Sequence, residues 1–166
     1  MILGMSTASF TLIHMLISLT AAGSGFVVIL GLLNRKLLDG WIAIFFTASI
    51  LTVVTGFLFP FDRLLRSHVL GLLTLLVVTI SVFVRVTSGL VGGWRAVYVL
   101  TLATALYFNC YAAVVQLFAK VPALKAKAPT QTEPPLMAAQ FLVLAIFIVL
   151  AFVAAKRIGR GPDRIA

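Results

Sequence analysis

Acidic residues are scarce in this chain: of 166 residues, four are Asp or Glu, against thirteen Lys or Arg. The four, Asp39, Asp62, Glu133 and Asp163, all fall outside the long apolar runs. A proton-driven carrier would therefore lack its usual intramembrane carboxylate relay. The single cysteine, Cys110, rules out an intramolecular disulfide or a cysteine-based zinc site within one chain and reads as a small apolar filler. There is no glycine-rich phosphate loop and no Ser-His-acid set at matching depth, so hydrolytic and phosphoryl-transfer chemistry has no support.

What the chain has instead is apolar length. Hydrophobic residues make up 62% and charged residues 10%, with a mean hydropathy of +1.18, far from a soluble domain. The net charge of +9 does not point to nucleic acid, because the basic residues sit between and after apolar runs rather than in an aromatic-laced patch. The pattern predicts an all-α fold, a polytopic transmembrane helical bundle of five spans in one membrane domain over residues 1–166. The spans fall at about 10–33, 41–61, 68–86, 95–120 and 136–155, with a loop at 121–135 and a basic tail at 156–166.

The fourth run organises the rest. Tyr98, Thr101, Ala105, Asn109, Ala112 and Gln116 recur at intervals of three and four, which predicts a small, polar face turned into the bundle and Leu, Val and Phe turned outward. In the first run His14, Ser18, Ala21 and Gly25 share a face, and Ala21 with Gly25 forms a small pair suited to close helix contact. Ser67, Gly71, Thr74, Val78 and Ser81 form the matching face of the third run, with His68 at its border and Ser67 as a candidate N-cap. Asn34 and Gly40 break the chain before Trp41, an interfacial anchor, and Pro60 closes the second run. Gly89, Gly92 and Gly93 predict a tight hairpin, flanked by Arg85 and Arg95 as headgroup anchors. Pro134 and Pro135 suit the first turn of the fifth span.

Five spans put the termini on opposite sides. One side carries Arg35, Lys36, Arg85, Arg95, Lys156, Arg157, Arg160 and Arg164; the other carries Arg63, Arg66, Lys120, Lys125 and Lys127. The first set places the C-terminus in the cytoplasm and the N-terminus outside. On the outer side lie His14, His68, Thr55, Gln116 and Gln140 near helix ends, with Lys120 and Glu133 in or beside loops. These predict an outer-leaflet polar pocket lined by Ser18, Thr55, Asn109, Gln116, Lys120, Glu133 and Gln140.

Three readings of that pocket follow. The first is a non-enzymatic protein that binds a ligand or partner, as an accessory subunit of a larger complex or by self-association. The second is redox: His14 and His68 at matching depth on parallel spans ligate a haem b or a copper ion, with a quinone nearby and Lys120 or Arg66 on a propionate. In the plain alternative His14 bonds Ser18 or the interface, and His68 is a polar helix-start residue. The third reading is a small-solute carrier or channel along Asn109 and Gln116, whose plain alternative is hydrogen bonding between helices. Asp62 and Glu133, each beside basic residues, read as surface ion pairs. The proline-rich loop reads equally as a connector or a lid over the outer mouth.

The segments FAKVPALKAKAPTQTEPP at 118–135, LDGW at 38–41 and TGFLFPF at 55–61 resemble a group of uncharacterised small bacterial multi-span inner-membrane proteins. The likeness runs from about His14 to Gln140. It implies a bacterial inner membrane and carries no activity, ligand or catalytic residue.

Overall fold

The computed structural model describes residues 2–60 and 66–158; the Arg66 side chain, Asp62, Arg63, Arg160 and Arg164 lie outside that description. Six helices follow in order: α1 (Thr7–Leu33), α2 (Asp39–Phe57), α3 (Arg66–Ser88), α4 (Trp94–Lys120), α5 (Pro122–Lys125) and α6 (Pro134–Ile158). Five of these, all except the four-residue α5, are long and apolar enough to cross a bilayer, as the hydropathy pattern predicts.

Local chemistry sets the ends. Helix α1 begins before its apolar run because Ser6 Oγ accepts the Ser9 amide at 3.1 Å, an N-cap the hydropathy pattern does not reveal. Helix α2 stops at Phe57 rather than continuing to Phe61: Pro60 biases the residue before it away from helical backbone. Helix α3 starts at Arg66, so Ser67 sits inside the first turn and is not the cap. Pro134 and Pro135 occupy the first turn of α6 as expected.

Helix α4 is the hub, packed against α1, α3, α5 and α6, while α2 packs on α1 and α3. Being covered on several sides corrects the expected division of its faces. Tyr98 and Ala105 are buried, but so are Val99, Leu102 and Leu106. Gln116 is exposed instead of inward. The small faces on the first and third spans pack within the chain over most of their length, with Ser67 exposed at the start of the third. Ala21 is wholly covered, and a Cβ on Gly25 would lie 2.5 Å from Leu106 Cδ1 and 2.9 Å from Phe45 Cε2, so only glycine lets the helices come this close. On α3, Thr74, Val78 and Ser81 are buried, and the Ser81 and Thr101 hydroxyls meet at 2.5 Å.

At the end of the bundle bearing the 89–93 hairpin, basic side chains turn inward. Gly89, Leu90 and Gly92 have positive φ, which folds the turn tightly. Arg95, 4% exposed, donates Nε–H to the Leu90 carbonyl at 2.6 Å. Arg85 donates to Asp39 at 2.7 Å and to the Tyr98 hydroxyl at 3.1 Å. Both thus tie the fold together, where charge pattern alone assigns them to lipid headgroups.

At the opposite end the loop after α4 is folded. Ala128 is completely buried in a small cluster with Phe118 and Leu136. Glu133 accepts the Thr130 amide at 2.9 Å, the Thr130 hydroxyl at 2.8 Å and the Thr132 amide at 3.0 Å, and so fastens its own loop in place of the expected ion pair. The Thr130 amide first, then the Thr130 hydroxyl and Thr132 amide, hold its carboxyl down to about 2.

Candidate functional site

The site is built where α1, α2 and α4 end together. His14 stands two turns into α1, Thr55 in the last turn of α2, and Lys120 closes α4. His14 Nδ1 lies 2.7 Å from Thr55 Oγ1. Lys120 is within electrostatic reach of the ring. Ser18, one turn along α1, donates its hydroxyl to the His14 carbonyl at 2.8 Å. Phe59 sets an edge against the imidazole at 5.4 Å between ring centres, and Phe10 meets Phe59 at 5.0 Å, so aromatic rings border the histidine.

Two polar atoms here are left over. His14 Nε2 has no hydrogen-bond partner among the described residues. Thr52 Oγ1 is shut off from solvent and also lacks one. Thr52 lies seven residues beyond Phe45 on α2, two helical turns along the same face, and Phe45 sits beside Gly25 of α1. Thr52 is the residue that reasoning from ionisable groups overlooks; its proximity in sequence to Thr55 and Gly56 is the only signal for it.

The other expected site residues disperse. His68, 5% exposed, lies against Phe57 at 4.9 Å. Thr55 and Phe57, the α2 partners of the two histidines, are two residues apart, which separates them by about 200° around the helix. The rings therefore flank α2 from different helices, α1 and α3, and are not brought together. Among the described residues no three His, Cys, Asp or Glu side chains gather.

Asn109 donates to Ser49 Oγ at 3.2 Å and to its own Ala105 carbonyl at 3.0 Å, joining α4 to α2 deep in the bundle. Gln140 donates to the Tyr111 carbonyl at 3.2 Å in the seam of α4 and α6, leaving its Oε1 buried without a partner. Glu133 serves its loop and Gln116 faces outward. Of the expected lining, Ser18, Thr55 and Lys120 belong to one locale, around His14. An open apolar groove of about 480 Å³ runs elsewhere, along α1 and α2 between Leu16, Thr20, Ile44, Thr47 and Leu51.

Comparison of the chain with family models, curated proteins and solved structures finds no match. The fold and its apolar helices define the class: a multi-span α-helical membrane protein.

Proposed function

We propose that this is a non-enzymatic membrane protein that binds a small polar ligand or the polar end of a partner at the His14, Thr55 and Lys120 end of the bundle. The whole chain acts as one membrane domain. It sits in the inner membrane of a bacterium with its N-terminus outside and its C-terminus in the cytoplasm, as an accessory subunit of a larger assembly. The orientation rests on eight basic residues against five on the two sides.

The observation that carries the reading is the state of His14. One ring nitrogen is held by Thr55 while the other is offered to nothing in the described protein, and a second unpartnered polar atom, Thr52 Oγ1, stands on the same stretch of α2. His14 Nε2 is open to an incoming group, and Thr52 Oγ1, being buried, costs free energy unless something meets it. Asn109, in contrast, is already engaged with Ser49, which supports helix cohesion over a conduit.

Native mass spectrometry of the full chain, released from its own membrane in mild detergent, tests the proposal. A retained small molecule or partner chain that is lost in His14→Phe is the expected result. Identical bare spectra for the two proteins would overturn it. A reporter fused to the C-terminus must fall on the cytoplasmic side for the orientation to stand.

A further inference from the structure

The hydroxyl of Thr55 fixes the tautomer of His14. A threonine has one proton to give, and Thr55 Oγ1 lies 2.7 Å from the Leu51 carbonyl, which can only accept. With its proton there, Thr55 receives the bond from His14, so Nδ1 carries the hydrogen and Nε2 of the neutral ring presents a lone pair. What meets Nε2 must be a donor. Lys120 closes α4, which packs on α1, and within electrostatic reach of the same ring its cation favours an anion beside that donor and repels a second ammonium.

Depth identifies where such a ligand comes from. Helix α2 has 19 residues and so a length of about 28 Å, close to the roughly 30 Å hydrocarbon core. With α2 centred on that core, Thr55, two residues from its end, stands within about 4 Å of the boundary at which lipid phosphates and their substituents begin. Helices α1 and α4, at 27 residues or about 40 Å each, overrun that core.

We propose that His14 and Lys120 hold the headgroup of an anionic phospholipid bearing a free hydroxyl, of the phosphatidylglycerol type, with phosphate on Lys120 Nζ and hydroxyl donating to His14 Nε2. This rests on the binding reading above and names its ligand class. Zwitterionic ethanolamine lipid sets an ammonium against Lys120, and choline lipid has no donor for Nε2.

The test uses the full-length protein in detergent, with thermal unfolding followed by tryptophan fluorescence as lipids are added. The probes are phosphatidylglycerol, phosphatidylmethanol (anionic, without a hydroxyl), phosphatidylethanolamine, phosphatidylcholine, and soluble glycerol phosphate. Phosphatidylglycerol should bind about three- to tenfold more tightly than phosphatidylmethanol, the value of one hydrogen bond, and both more tightly than the two zwitterions. His14→Phe should erase the first difference and His14→Gln, which keeps an acceptor, should retain part of it. Lys120→Gln should erase the second difference.

Equal binding of phosphatidylglycerol and phosphatidylmethanol by the unaltered protein overturns the proposal even if no variant folds, as does equal binding of phosphatidylglycerol and phosphatidylcholine. Soluble glycerol phosphate matching the lipid would move the source from bilayer to solution and likewise overturn it. A non-lipid molecule found at His14 by mass spectrometry removes this inference and leaves the binding reading standing. An empty site that responds to no probe removes both.

Discussion

Gly25 of α1 and Leu106 of α4 approach until a single added carbon would sit 2.5 Å from the leucine methyl. No side chain fits without displacing Leu106 and Phe45, so Gly25→Val should destabilise the bundle by about 1–3 kcal/mol. Gly23, with open space around it, is the control, and Gly23→Ala should be neutral or slightly stabilising. Reversible unfolding in mixed micelles measures both; equal effects would mean the contact is not tight.

Asn109→Leu removes an interhelical bond to Ser49 and should cost about 0.6 kcal/mol, the usual worth of such a bond in a membrane protein. A double-mutant cycle with Ser49→Ala isolates it. A coupling energy indistinguishable from zero would show that Asn109 does something other than hold α2 to α4.

Arg95→Leu should cost about 1–3 kcal/mol, because the Leu90 carbonyl loses a charged donor inside a buried turn. Were Arg95 a headgroup anchor, the loss would instead track the content of anionic lipid. Unfolding midpoints in neutral and anionic bicelles separate the two.

Glu133 gives the loop a pH signature. Its carboxyl is held at about 2, below the ordinary value of 4.5, so the charged form contributes in full above pH 4.5 and the contribution fades as the pH falls toward 2. Amide resonances of Thr130 and Thr132 should follow that low midpoint and lose it in Glu133→Gln. A midpoint near 4.5 in the unaltered chain would mean the carboxylate is free.

Much of this fold is legible in the residues. The spacing from Ser67 to Ser81 marks a small face, and from Thr74 to Ser81 it is buried within the chain while Ser67 stays exposed; apolar length alone counts the spans. Partners across the fold are harder. Arg95 is indistinguishable in sequence from a surface cation until the hairpin brings the Leu90 carbonyl back over it. His14 and His68 share a membrane side by arithmetic, yet the short connection that keeps α2 beside α1 also sets α2 between them. Periodicity gives the direction a side chain takes and says little about what stands there. The pocket expected from seven lining residues and two histidines accordingly contracts to a few at one seam, while Asn109 and Gln140 serve other helix pairs.

Arg157, near the end of α6, donates to the carbonyl of Leu33 at 2.8 Å, at the last residue of α1. A ribosome delivers α1 first and α6 last. The carbonyl that finishes the opening span thus waits, without this partner, through the synthesis of four intervening helices. Local bonds from Asn34, Arg35 and Lys36 cap the other carbonyls of that last turn at once, so a chain cut short before Arg157 would lack only the tie between its first and last spans.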